Sequence, residues 1–256
     1  MPEVIRRGLE YSAAPGREPT LLDLYTPDGV SLPPLVVWIH GGGFVGGDRV
    51  HLPDTLSPGS IFGALTAAGF ACASIDYRLA PAARYPEPVR DVRAAVGFLL
   101  ERARRYGYDA GRLGVWGESA GGLLALTAAL TIPQVKAAVA WYPVTDILAM
   151  PDDPGERATE SALLGVPAKA APELAAEASP ITHVTEAAPP CFLLHGDEDG
   201  VVPVSQSLRM HERLLDVGAD STLRIVPGAD HCFENYSDVP ALINSSVDFL
   251  GSRLRG

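Results

Sequence analysis

Apolar positions along this chain follow two rhythms. Short, mostly apolar runs cover Leu35 to Ile39, Phe70 to Ile75, Leu113 to Trp116, Val135 to Trp141, Cys191 to Leu194 and Leu223 to Val226. Runs of this length, rich in branched residues, read as strands buried on both faces, as in a parallel sheet. Leu21 to Tyr25 reads as an early antiparallel strand before the turn region Pro27 to Pro34. Helical stretches alternate with these runs. Ser60 to Ala68 is one, and Pro88 to Arg105 is amphipathic, with Val89, Val92, Val96, Leu99 and Leu100 on one face. Pro88 suits a first helical turn, and Arg102, Arg104 and Arg105 suit the negative C-terminal end of the helix dipole. Gly122 to Leu130, Ser205 to Val217 and Val239 to Leu254 complete the series. The pattern predicts one α/β domain over residues 1–256, its mostly parallel sheet flanked by helices. The stretch of about 145–185 breaks the alternation, with helical pieces at Thr159 to Leu164 and Pro172 to Ala178. It is expected to form a small cap over the carboxyl edge of the sheet.

Chemistry concentrates where strands end. Gly117-Glu118-Ser119-Ala120-Gly121 joins an apolar run to a helical run. That context suits a sharp strand-to-helix turn presenting the Ser119 hydroxyl. His40-Gly41-Gly42-Gly43 follows another strand. The N–H groups of Gly42 and Gly43, with that of Ala120, are candidates to hold an oxyanion. A serine needs a base to take its proton. Of the six histidines, His40 belongs to the glycine loop, and His51 and His183 lie in proline-rich surroundings. His195 ends a strand and is expected to shape the turn after it, and His211 falls on a helix. His231, in the loop after the Ser221 to Val226 strand, remains as the base. The acid that orients it lies in His195-Gly196-Asp197-Glu198-Asp199-Gly200. Asp197 is close enough to the strand to cap the turn, and Asp199 can reach a histidine loop. Asp199 is the choice, Asp197 the fallback, and Glu198 a solvated charge.

Taken together, these stretches resemble the α/β-hydrolase superfamily, and within it the hormone-sensitive-lipase-like bacterial carboxylesterases and feruloyl-esterase-like hydrolases. The matching residues are His40 to Phe44, Asp76-Tyr77-Arg78-Leu79-Ala80-Pro81, Gly117 to Gly121, Ser179-Pro180, and the Asp199 and His231 loops. The resemblance implies a serine carboxylesterase working through a Ser119, His231, Asp199 triad and an acyl-enzyme. In the family's HG-x-x-D-x-x-V-P segment the acid is the position that Asp199 fills. Phe44 stands where many relatives carry Trp, and Glu118 where Asp or His is common. An amide hydrolase on the same triad, or a ligand receptor on a hydrolase scaffold, are the alternative readings.

Aromatic residues at strand ends are candidates to line the pocket: Phe44, Tyr77, Trp141, Tyr142 and Phe233. The net charge of −11 speaks against a nucleic-acid surface. Met1 to Tyr11 has no apolar core of signal-peptide length, and no run approaches a membrane span. The three cysteines, Cys72, Cys191 and Cys232, do not suggest a disulfide framework, which fits a reducing cytoplasm. No paired Cys/His spacing suggests a metal and no glycine fingerprint suggests a nucleotide, so no cofactor is expected. The expected partner is a small ester, and a homodimer is left as a possible assembly.

Overall fold

The computed structural model describes residues 3–12, 18–56, 59–151 and 159–255. The strands are β1 (Glu3–Ser12), β2 (Thr20–Pro27), β3 (Pro34–Ile39), β4 (Ala71–Ile75), β5 (Asp109–Glu118), β6 (Val135–Trp141), β7 (Cys191–Gly196) and β8 (Ser221–Val226). The helices are α1 (Ser60–Ala67), α2 (Glu87–Tyr106), α3 (Ala120–Thr131), α4 (Thr159–Leu164), α5 (Pro172–Ala178), α6 (Ser205–Asp216) and α7 (Val239–Leu254). The strands form one sheet in the order β1-β2-β4-β3-β5-β6-β7-β8. β1 and β2 run antiparallel to their neighbours, and β4, β3, β5, β6, β7 and β8 are parallel.

Side chains alternate across a strand, so each parallel strand feeds two cores. On one face Leu35, Val37 and Ile39 of β3 and Val115 of β5 meet Val92, Val96 and Leu99 of α2, Leu123 of α3, and Met210 and Leu214 of α6. On the other, Val36, Trp38, Trp116 and Trp141 meet Ile61, Phe62 and Leu65 of α1 and Leu242, Val247 and Leu250 of α7. Trp38 and Trp116 are direct partners in the β3–β5 register, with ring centres 5.7 Å apart and edge to face. Burial on both faces explains why these strands read as apolar runs.

Helix ends follow local chemistry. Pro88 sits in the first turn of α2, where its missing N–H costs nothing, and Gly107 stops the helix at φ 82. The insertion after β6 contains α4 and α5. Its residues 152–158 lie outside the described residues. It is packed onto the body through buried Ile147, Leu163, Leu164, Ala175 and Ala178. The buried Gln206 carboxamide at the start of α6 pins its first residues. Its Oε1 accepts from the N–H groups of Thr145 and Asp146 at 2.8 and 2.7 Å.

Candidate active site

Because β3, β5, β7 and β8 are parallel, the loops at their carboxyl ends gather at one end of the sheet. Ser119 stands between β5 and α3 at φ 53, a left-handed conformation costly for any residue but glycine. Two glycines make that turn feasible. A Cβ on Gly117 would run into the Gly121 carbonyl, and a Cβ on Gly121 into the Ile39 carbonyl. The Ser119 N–H donates to the Trp141 carbonyl at 2.9 Å, which fixes the turn to β6.

The expected triad residues come together. Ser119 Oγ lies 3.2 Å from His231 Nε2, and His231 Nδ1 lies 2.7 Å from Asp199 Oδ2. A carboxylate only accepts, so Nδ1 carries the proton and Nε2 is left to accept from Ser119. The Asp199 side chain has no exposure. Its Oδ1 accepts from the N–H groups of Val201 and Val202, each at 2.8 Å. Burial alone would raise its pKa. Hydrogen bonds from His195 and His231, the His231 charge and the Val202 N–H outweigh burial and hold it well below the usual carboxylate range.

His195 does more than shape a turn. It is fully buried, and its Nε2–H points at the Val202 carbonyl, 2.9 Å away, and at Asp199 Oδ2, 3.2 Å away. Ser207 of α6 donates to its Nδ1 at 2.7 Å. His195 therefore shares Asp199 Oδ2 with His231 and helps to hold the acid in place. Asp197 is exposed and accepts from the Gly228 N–H at 2.6 Å, bracing the histidine loop rather than its own turn. Glu198 is exposed. The other histidines have partners elsewhere. His51 pairs with Asp48, His183 with the Glu177 carbonyl and His211 with Ser221, and His40 stacks on Tyr77.

Gly42 and Gly43 adopt φ 101 and 62, a left-handed conformation that glycine takes without a Cβ penalty. Among the described residues, the N–H groups of Gly42, Gly43 and Ala120 have no protein acceptor. The loop itself is held from both sides. The Tyr77 hydroxyl donates to the carbonyls of His40 and Gly41 at 3.0 and 3.2 Å. The Gly41 N–H donates to Glu118 Oε1 at 2.6 Å. Burial pushes the Glu118 carboxyl up, opposed by that N–H, by the His231 charge and by the Tyr142 hydroxyl.

Ser119 and His231 open into a cleft of about 720 Å³. Its walls include the 41–44 loop, His51, Leu52 and Pro53, then Met150, Pro151, Thr159 and Glu160 from the insertion, and Val201, Val202 and Cys232. The insertion thus reaches the cleft. Of the five aromatics expected to line it, only Phe44 does. Tyr77, Trp141, Tyr142 and Phe233 are at most 3% exposed and are absent from its wall. A residue at a strand end can point into either core layer, and these four point inward. Trp141 donates to Ser246 of α7 at 3.0 Å, and Phe233 packs edge-on against Trp141 and Tyr142. Tyr142 backs His231, with ring centres 4.7 Å apart. Sequence reasoning missed His195, Thr159 and Glu160. The partners of His195 meet it only through the fold of the loop after β7, and Thr159 and Glu160 reach the cleft from a segment far along the chain. Among the described residues, no three His, Cys, Asp or Glu side chains are grouped to hold a metal ion, and no helix is long and apolar enough to cross a membrane.

The family model BD-FAE matches residues 22–214. The chain belongs to the BD-FAE family. This BD-FAE member is 32% identical over 251 residues to Esterase LipC of Mycobacterium tuberculosis, covering 90% of this chain and 60% of LipC. It is 31% identical over 183 residues to the probable carboxylic ester hydrolase LipM of the same organism, covering 65% of this chain and 42% of LipM. The chain therefore spans 60% or less of the length of these two curated relatives. The fold is that of the α/β-hydrolases. A truncated carbohydrate esterase from gut microbiota superposes with a TM-score of 0.87 at 24% identity, over 99% of this chain and 97% of that one. The thermophilic carboxylesterase EstE1, cloned from a metagenomic library, gives 0.80 at 22% identity, over 99% and 89%.

Proposed function

We propose that this protein is a serine carboxylic-ester hydrolase acting on small to medium acyl esters. The observation that carries this reading is the relay of 3.2 and 2.7 Å from Ser119 through His231 to Asp199, opening into a cleft. Ser119 Oγ attacks the ester carbonyl as His231 Nε2 takes its proton. Asp199 keeps the proton on Nδ1 and stabilises the imidazolium that forms. The N–H groups of Gly42, Gly43 and Ala120 receive the oxyanion. Collapse of the tetrahedral intermediate expels the alcohol, which leaves with the proton from His231. Water then attacks the acyl-Ser119 ester with His231 as base, and the acid departs.

The names of LipC, LipM and EstE1 point to the same reaction class. An organophosphate should label Ser119 and abolish hydrolysis of p-nitrophenyl acetate. Ser119→Ala should take no label, keep its fold and lose activity by on the order of 10⁴-fold or more. Retention of most activity in that variant would refute the reading. A p-nitroanilide arm separates ester from amide hydrolysis.

A further inference from the structure

Glu118 is a carboxyl side chain only 5% exposed, next to the nucleophile, and the mechanism above gives it no step. Burying such a group is unfavourable unless its partners are well placed. Its partners come from separate parts of the chain. Glu118 directly precedes Ser119, and Gly41 directly precedes the two glycines whose N–H groups receive the oxyanion. The 2.6 Å bond from the Gly41 N–H to Glu118 Oε1 therefore spans from the nucleophile turn to the oxyanion loop. The fit is close, since a Cβ on Gly41 would lie 2.6 Å from Glu118 Cδ. The Tyr142 ring backs His231, and its hydroxyl opposes the upward push of burial on the Glu118 carboxyl.

We propose that Glu118 is a positioning residue: through its bond to Gly41 it sets where the Gly42 and Gly43 N–H groups stand relative to Ser119 Oγ. This role rests on the hydrolase reading above. The second tether, from Tyr77, holds the carbonyl side of the loop and leaves its N–H side to Glu118. Oxyanion donors act at about 2.7–3.1 Å, and loss of one costs about 10²–10³-fold in kcat. A loop that keeps its donors but holds them loosely should lose about 10- to 100-fold. The loss should fall on kcat, because the oxyanion forms only in the transition state.

The test compares Glu118→Leu, which fills the site without an acceptor, with Glu118→Gln, which keeps one. Glu118→Ala is the second variant should Glu118→Leu not fold. Each protein is titrated to completion with a fluorophosphonate, and kcat is expressed per labelled Ser119. Glu118→Leu should show kcat lowered by about 10- to 100-fold with KM within about threefold. Glu118→Gln should keep at least a third of the wild-type kcat, with the acid limb of its pH profile unmoved. Two results would overturn the proposal. One is a labelled Glu118→Leu variant turning over within threefold of wild type, which would make Glu118 a filler of space. The other is a Glu118→Gln variant as slow as Glu118→Leu, which would assign the effect to charge. A wild-type protein that takes no label would instead fail the hydrolase reading, and the Glu118 role with it.

Discussion

Replacing Asp199 by Asn should be far more damaging than the same change at Asp197. The reason lies in how many donors each carboxylate serves. Asp199 takes N–H groups from Val201 and Val202 on Oδ1, and ring N–H groups from His231 and His195 on Oδ2. An amide cannot accept on both sides. If its oxygen keeps Val201 and Val202, its NH₂ faces the two imidazoles. His231 must then offer Nδ1 as an acceptor and carry its proton on Nε2, where it cannot take the Ser119 proton. If the amide turns over, its NH₂ faces two backbone N–H groups and both bonds are lost. The wrong tautomer costs on the order of 10⁴-fold in kcat. Unsatisfied buried donors add roughly 1–3 kcal/mol of lost stability. Asp197 serves one donor, the Gly228 N–H, from an exposed position. Asn can still accept there, so Asp197→Asn should keep kcat within about threefold and stability within about 0.5 kcal/mol. The assay is p-nitrophenyl acetate turnover per titrated Ser119, with urea unfolding alongside. The stability gap between wild type and Asp199→Asn has a pH signature. Asp199 has a depressed folded pKa, so its contribution is present above the unfolded value of about 3.9 and is lost as pH falls through the folded one. The gap should hold from neutral pH to about 5 and shrink below about 4. Equal losses at the two positions, or a larger one at Asp197, would refute the reasoning.

Gly121→Ala should destabilise the protein by more than about 3 kcal/mol, because its Cβ would meet the buried backbone of Ile39 and His40. Chemical unfolding within about 1 kcal/mol of wild type would contradict the tightness of the turn. In a panel of p-nitrophenyl esters, kcat/KM should favour acyl chains of about two to six carbons, since each added methylene gains only ~0.8 kcal/mol and only against an apolar wall. A preference beyond about ten carbons would require a deep tunnel. EDTA should leave turnover unchanged, and a loss that added metal restores would mean the relay does not act alone.

The parallel core was legible because its strands are buried on both faces. Val135–Trp141 and Val239–Leu254 fall where the apolar pattern put them. β1 was not. Glu3–Ser12 carries Arg6 and Arg7, is interrupted in its pairing near Gly8, and is mostly exposed, so neither run nor alternation marks it. In the site, glycine spacing marked Ser119 and the 41–43 loop, because turns with positive φ constrain residue type locally. His195 gave no such signal, since its partners Asp199, Val202 and Ser207 meet it only after the loop closes. The aromatics failed for a related reason. Trp141 and Tyr142 are adjacent in sequence, and nothing short of the packing of α7 and the His231 loop says which way each points.

Thr159 opens α4, and its methyl group fills the space a substituent on Gly43 would need, 2.5 Å from where a Cβ would stand. Its neighbour Glu160 lines the cleft. The segment that lines the cleft therefore leans on the loop proposed to stabilise charge. Under the proposed function, recognition and turnover should be mechanically coupled. An insertion grafted from a relative to admit a new ester would also press differently on Gly43, so selectivity and speed would shift together. The unit expected to exchange intact is the start of α4 together with residues 41–44, and not either piece by itself.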